Sequence, residues 1–158
     1  MAAIIEQGGK FLLVEEHTPE GLKLNNPAGH LDPGESLVDG CVRETLEETT
    51  YAFRPTALVG VYMSRIQPLG NKAKAEAVTY LRFAFCGELG EVQVGRQLDT
   101  GIVRTLWMTP GEIRASAGRH RSPLLVRCME DHLAGQRYPL GLVYTDPTVA
   151  RADGSWQG

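Results

Sequence analysis

The stretch GHLDPGESLVDGCVRETLEETTY, residues 29–51, joins a turn-rich loop to one amphipathic helix. The Pro33-Gly34 pair predicts a tight turn, and Ser36 followed by Asp39 resembles a capping box that starts a helix. On helical spacing, Val38, Cys41, Val42 and Thr45 share one side. The other side carries three carboxylates, those of Glu44, Glu47 and Glu48. The stretch therefore predicts an amphipathic helix that begins directly after a tight loop.

The crowding of three carboxylates requires an explanation, because like charges at i,i+4 destabilise a helix by a few tenths of a kcal/mol. One interpretation is a solvated helical face on which Arg43 and Glu47 form an ordinary surface ion pair. The other is a hard-oxygen site for Mg²⁺ or Mn²⁺, whose positive charge removes the repulsion. The loop before the helix distinguishes the two interpretations.

The composition narrows the class of partner. The chain has 158 residues, of which 42% are hydrophobic and 22% charged, as expected for one globular domain with an apolar core. A net charge of -3 gives no electrostatic footprint for nucleic-acid polymers or anionic membranes. The opening MAAIIEQGGK has no basic signal-peptide start, and no apolar run approaches bilayer length. We therefore expect a cytoplasmic protein with a small-molecule substrate.

The three cysteines predict neither a disulfide framework nor a zinc site. Cys41, Cys86 and Cys128 are odd in number, far apart and without a C-x-x-C spacing. We expect them to be small core residues.

The remaining segments predict strands mixed with helices. Residues 2–6 and 10–15 are apolar runs split by a Gln-Gly-Gly turn, which indicates a β-hairpin, and residues 56–66, 77–89 and 103–108 have strand composition. Further helices are expected behind the Thr109-Pro110 and Ser122-Pro123 pairs, the second ending at Gly135. This order implies an α/β fold, an α/β/α sandwich around a mixed sheet. We expect one domain over residues 1–144 and a loosely ordered polar tail over residues 145–158.

The loop and helix resemble the Nudix box, G-x5-E-x7-R-E-U-x-E-E-x-G-U, where U is a bulky aliphatic residue. The fixed positions that match are Gly29, Glu35, Arg43, Glu44, Glu47 and Glu48. Six such matches arise by chance on the order of once in 10⁷ starting positions. Segments outside the box are similar to a group of bacterial phosphatases within the Nudix family: KFLLVEE (10–16), NNPAGHLDPGESL (25–37), LRFAF (81–85), RSPLL (121–125) and GQRYPL (135–140).

The resemblance implies a Nudix fold and Mg²⁺-dependent hydrolysis of small organic pyrophosphates, with Mn²⁺ as a possible substitute. It also implies that Glu47 and Glu48 bind the metal. Glu44, one turn earlier, reaches the same metals or a metal-bound water and is the candidate general base. Arg43 can hold Glu47 in one rotamer. Glu35 fixes the loop against the helix, near the metals.

Substrate contacts are expected outside the carboxylate cluster. Gly29 is expected to allow close approach of the backbone to phosphates, and Arg121 lies just before a helix N-terminus that suits a phosphate. Many family members draw another acid from the loop before the strand that carries a late Trp. Asp99 occupies a similar place and Glu76 is its competitor.

Two residues depart from the box. Thr45 stands where an aliphatic residue is usual, and its hydroxyl can bond to the i-4 carbonyl. Thr50 replaces the Gly that ends the helix in a left-handed conformation, which is unfavourable for a β-branched residue. The sequence therefore predicts that the helix ends differently here, without a positive φ at Thr50.

Two substrate classes and one non-enzymatic role stay open at this point. The phosphatase-like segments imply release of orthophosphate from nucleoside tri- and diphosphates and from hydroxymethylpyrimidine pyrophosphate. The alternative within the family is a pyrophosphatase of ADP-ribose or another nucleoside diphosphate-linked compound. A catalytically silent ligand-binding module is the third, but such a module is expected to have lost carboxylates of the box, and all four are present.

Overall fold

The computed structural model describes residues 1–66 and 77–150. Its strands are β1 (Ala2–Ile4), β2 (Glu6–Gln7), β3 (Lys10–Thr18), β4 (Gly21–Asn25), β5 (Tyr51–Ile66), β6 (Val78–Val92) and β7 (Ile102–Met108). Its α-helices are α1 (Leu37–Thr49), α2 (Pro110–Ala115) and α3 (Leu124–Leu133). Short 3-10 helices cover Ala117–Arg119, Leu140–Leu142 and Pro147–Ala150.

The strands are divided between two sheets. One has the order β1-β6-β5, with β1 parallel to β6 and β5 antiparallel to it. The other is antiparallel and has β3 at its centre, paired with β2, β4 and β7. The predicted hairpin is present between β2 and β3, but the chain's first residues pair in the other sheet.

Both faces of β3 are buried, and helices lie on its two sides. Phe11 and Leu13 of β3 belong to a core shared with α2 and α3, whereas Leu12 between them belongs to a core shared with α1. This is the alternation that a strand imposes on successive side chains. The predicted α/β/α arrangement is confirmed. The predicted core cysteines are confirmed as well: Cys41, Cys86 and Cys128 are free and buried.

Local signals locate the helix starts. The Ser36 hydroxyl accepts from the Asp39 N–H at 3.0 Å and begins α1. Thr109 forms a full capping box with Glu112 at the start of α2. α3 differs from this pattern: its N-cap is Pro123 and no side chain caps it, although the Ser122 hydroxyl accepts from the Leu124 N–H at 3.2 Å.

The buried side of α1 explains how a threonine replaces an aliphatic residue of the box. Thr45 is fully buried, and its hydroxyl donates to the Cys41 carbonyl at 2.7 Å. The i-4 bond predicted from the sequence is therefore present, and it satisfies the hydroxyl inside the core.

The prediction for the end of α1 was wrong. Thr50 ends the helix with φ 63° and ψ 0°, the left-handed conformation that the sequence led us to exclude. Its N–H donates to the Leu46 carbonyl at 2.9 Å, and its own carbonyl accepts from the Gln93 N–H at 2.8 Å. The first bond closes the last turn of α1, and the second joins the helix end to the residue after β6, so tertiary pairing imposes a conformation that threonine disfavours.

Thr50→Gly is expected to stabilise the protein by about 1 kcal/mol, because removing the β-branched side chain relieves the left-handed strain by more than the added unfolded-state entropy costs. Both main-chain bonds are retained in the variant. Urea unfolding measures the change, with Thr50→Ala as the control, because alanine keeps the Cβ atom that glycine lacks. A lower unfolding midpoint for Thr50→Gly than for the wild type would contradict this account.

None of the helices in residues 1–66 and 77–150 combines the length and hydropathy that a bilayer crossing requires. The start of the predicted tail is described as far as the 3-10 helix Pro147–Ala150, where Asp146 accepts from the Thr148 N–H at 2.9 Å. The remainder of the tail, residues 151–158, lies outside the described residues.

Candidate active site

A cleft of about 790 Å³ lies beside the carboxylate-bearing side of α1. Its lining comes from α1, from the segment 25–32, from β3, β5 and β6, and from the segments that precede β7 and α3. Residues distant in sequence therefore meet here. Of the three helix carboxylates, Glu44 and Glu48 line the cleft.

Arg43 is the centre of an ion-pair network that joins α1 to the loop before it. Its Nε and Nη2 atoms donate to both carboxylate oxygens of Glu35, at 2.9 and 2.6 Å. Nη1 donates to Glu44 at 2.9 Å and to Glu47 at 3.0 Å, and Nη2 also donates to the His30 carbonyl at 3.0 Å. One guanidinium thus fixes three carboxylates and the loop, which is far more than a surface i,i+4 pair.

Glu35 ties the loop to the helix. Besides Arg43, its carboxylate accepts from the Asp32 N–H at 2.8 Å, across the turn made by Gly34 at φ 89°. The hydrogen bond from Arg43 holds the pKa of the Glu35 carboxyl below its usual value, so this group stays ionised. In this structure the Glu35 carboxylate holds the Arg43 guanidinium and stabilises the turn.

Gly29 provides room for a carboxylate. A Cβ atom at this position would lie 1.9 to 2.1 Å from the Glu44 carboxylate atoms, well inside van der Waals contact. The sequence predicts that Gly29 lets the backbone approach a substrate phosphate; in the structure, the Glu44 carboxylate occupies the space where a Cβ atom at Gly29 would lie. The loop backbone is held in place by the Gly29 N–H, which donates to the Met1 carbonyl at 3.2 Å.

Glu48 has the most perturbed environment of the three helix carboxylates. One oxygen accepts from the Ala28 N–H at 2.8 Å. Burial raises the pKa of the Glu48 carboxyl to about 8; the Ala28 N–H opposes this shift, and the negative charges of Glu44, Asp99 and Glu47 add to it. A desolvated carboxylate among like charges is a site where a cation is favoured.

The donor set suits a hard divalent cation, although the described residues contain no three Asp, Glu, His or Cys side chains already grouped as ligands of one ion. The Arg43 guanidinium lies between Glu44 and Glu47 and supplies positive charge there. Glu44, Glu47 and Glu48 offer only oxygen ligands, the type that Mg²⁺ and Mn²⁺ prefer. The chemistry of these side chains therefore fits a bound Mg²⁺ or Mn²⁺ ion.

The loop before β7 brings a further acid to the cleft. Asp99 lines it, and the Asp99 N–H donates to the Glu47 carbonyl at 2.9 Å, so the loop is attached to the end of α1. Its side chain also accepts from the Thr100 N–H at 2.7 Å, as a turn-forming Asp does. Glu76, the competing acid, lies outside the described residues.

Arg121 lines the same cleft, where its guanidinium contacts the buried carboxylate of Glu16. The sequence singled out Arg121 but not Glu16 or Asn25, which also line the cleft. Arg82 also lines the cleft and donates to the Asn25 side chain at 3.3 Å. A carboxylate in the apolar strand β3 was the available signal for Glu16, since buried acids require a partner.

Comparisons with known proteins identify the family of the chain. The model of the NUDIX domain family matches residues 1–128. Phosphatase NudJ of Escherichia coli strain K12 is 33% identical over 143 residues, covering 90% of this chain and 88% of NudJ.

Solved structures give the same result. A NUDIX hydrolase from Nitrosomonas europaea has a TM-score of 0.82 and 48% identity, covering 92% of this chain and 94% of that one. The ORF135 protein of E. coli, at 20% identity and a TM-score of 0.61 over 84% of this chain and 86% of that chain, shares the fold.

Proposed function

The chain belongs to the Nudix family and is a hydrolase of phosphoanhydride bonds, and from that premise we propose that it is a Mg²⁺-dependent phosphatase of small organic pyrophosphates. Its proposed substrates are nucleoside tri- and diphosphates and hydroxymethylpyrimidine pyrophosphate, with release of orthophosphate. The similarity to phosphatase NudJ over 90% of the chain supports this range.

The observation that carries the metal dependence is the Glu48 carboxylate, which faces the cleft with Glu44 and Asp99 as negatively charged neighbours. We assign metal binding to Glu44, Glu47 and Glu48, with Mn²⁺ as a possible substitute for Mg²⁺. A bound divalent ion neutralises phosphate charge and lowers the pKa of water. The segment 25–32 and Arg121 flank the space in which a substrate would lie.

Each remaining residue has a proposed role in the same chemistry. Glu44 is the proposed general base, because it lines the cleft one turn before Glu47 and Glu48. Arg43 orients Glu44 and Glu47 through the bonds of Nη1, and Glu35 orients Arg43. Gly29 acts on the substrate indirectly, through the position that it permits for Glu44.

Two alternatives predict different behaviour. A pyrophosphatase of ADP-ribose or of another nucleoside diphosphate-linked compound would use the same carboxylates, since α1 fixes the metals and leaves the register of the phosphate chain open. A catalytically inactive ligand-binding module is disfavoured. Such a module is expected to have lost carboxylates of the box, whereas here Arg43 forms ion pairs with Glu35, Glu44 and Glu47.

Early-time ³¹P NMR of a GTP reaction tests the position of the cut. With Mg²⁺ present, we expect GDP and orthophosphate first and GMP with a second orthophosphate later, because attack at the terminal phosphorus leaves a diphosphate that is itself a substrate. The matched control omits the divalent ion and is expected to show no turnover. Pyrophosphate formed in step with GMP, without GDP, would contradict the phosphatase assignment and support attack at an inner phosphorus.

A further inference from the structure

One carboxylate in the cleft has an oxygen atom that accepts no hydrogen bond from the described residues. Glu16 is 6% exposed, and its side chain lines the cleft. Arg121 donates to Oε2, but none of the described residues donates a hydrogen bond to the buried Oε1. A buried acceptor without a donor is unfavourable by about 1 to 3 kcal/mol, so a hydrogen-bond donor that enters the cleft and reaches Oε1 would be stabilised there.

The neighbouring residue shows that burial alone does not leave such an oxygen. Glu15 is 3% exposed, and its two oxygens accept from Arg104 Nε at 2.7 Å and from Arg119. Glu15 does not contribute to the described lining of the cleft. Glu15 and Glu16 are successive residues of β3, so their side chains point to opposite faces of the strand, and only that of Glu16 reaches the cleft.

The surroundings of Glu16 suit an uncharged hydrogen-bond donor. Arg121 already supplies positive charge to Oε2, and Arg82 lines the same cleft, so a further cation at Oε1 would meet like charges. A carbonyl or phosphate oxygen cannot donate to a carboxylate. Tyr80 and His30, with ring centroids 6.1 Å apart, add aromatic surface to the same cleft.

We propose that Glu16 Oε1 accepts a hydrogen bond from the exocyclic amino group of a heteroaromatic ring carried by the substrate, and so selects amino-bearing rings. The proposal rests on the proposed function, since it names the organic group of a substrate whose phosphates lie by the carboxylates of α1. Arg121 then acts as a positioning residue that holds the Glu16 carboxylate with Oε1 facing the cleft.

The test compares nucleotides that differ by one amino group. We measure kcat/KM for GTP against ITP and for ATP against purine riboside triphosphate. A hydrogen bond to a charged acceptor corresponds to about 10- to 100-fold, so the wild type is expected to favour the amino member of at least one pair by about this factor. Glu16→Gln is expected to reduce that ratio to near one, because the amide can turn its NH₂ group toward the ring.

Glu15→Gln is the matched control. It removes the charge from an equally buried, arginine-paired carboxylate on the same strand, and it is expected to leave the amino preference of the wild type unchanged. Thermal unfolding of both variants separates a loss of selectivity from a loss of fold.

Binding distinguishes failure of this inference from failure of the proposed function. Metal-free titration calorimetry with GMP against IMP, and with AMP against purine riboside monophosphate, is expected to show the same preference without turnover. Binding preference without any hydrolysis would overturn the phosphatase and retain the role of Glu16. Ratios within about threefold for both pairs in the wild type, or a preference that persists in Glu16→Gln, would overturn the role of Glu16 and show that Oε1 holds only water.

Discussion

Glu48→Gln is expected to lower kcat/KM by about 10³-fold, equivalent to about 4 kcal/mol of transition-state stabilisation. The amide keeps the shape of the side chain and can still accept from the Ala28 N–H, but it removes the charge with which the carboxylate binds a divalent ion. Steady-state hydrolysis of GTP over a range of Mg²⁺ concentrations provides the measurement. Glu47→Gln is expected to behave similarly, since its carboxylate belongs to the same proposed ligand set.

The same substitution is expected to leave the fold intact and to stabilise the metal-free protein at high pH. In the folded protein the Glu48 pKa of about 8 lies above the ordinary value of 4.5 for a free glutamate carboxyl, so the wild type loses stability as the pH rises from the lower value to the upper one. Glu48→Gln has no such loss. Its advantage should be small near the lower pKa and should reach a few kcal/mol above the upper one.

Urea unfolding in EDTA at about pH 5 and about pH 9 provides the comparison. Full Mg²⁺-dependent activity in Glu48→Gln would reject the metal assignment. An advantage that does not grow with pH would instead reject the account of the buried carboxylate, and the two outcomes are independent.

Gly29→Ala is expected to lower kcat/KM by about 10²-fold while changing stability by less than about 1 kcal/mol. The added methyl group would lie 1.9 Å from the Glu44 carboxylate carbon, and this carboxylate is the end of a flexible side chain that can move away. Moving it breaks the 2.9 Å bond from Arg43 and displaces the proposed general base. The loss should therefore appear in kcat more than in the unfolding free energy.

Gly118→Ala is the control for this substitution. A Cβ atom at Gly118 meets nothing within 4 Å, and the residue belongs to the 3-10 helix Ala117–Arg119, outside the cleft lining. It should leave activity unchanged. Equal losses of kcat/KM in the two variants would show that any glycine substitution is harmful. Full activity of Gly29→Ala would instead contradict the proposed role of Glu44 as general base.

The sequence alone determined the helix that carries the site. Ser36 as the cap, the Pro33-Gly34 turn, and the spacing of Arg43 with its three glutamates are local features, because a helix places i, i+3 and i+4 together whatever surrounds it. The same stretch predicted the family and the hydrolase activity, and the order of strands mixed with helices along the chain predicted the layered α/β/α fold.

The tertiary structure decided what depends on distant partners. Thr50 adopts a left-handed conformation because Gln93 on the segment after β6 bonds to its carbonyl. Gly29 receives the Glu44 side chain, and Glu16 of β3 meets Arg121 at the cleft. Periodicity and caps extend over only a few residues, whereas a cleft depends on which strands pair and in which register, and local sequence does not encode that choice.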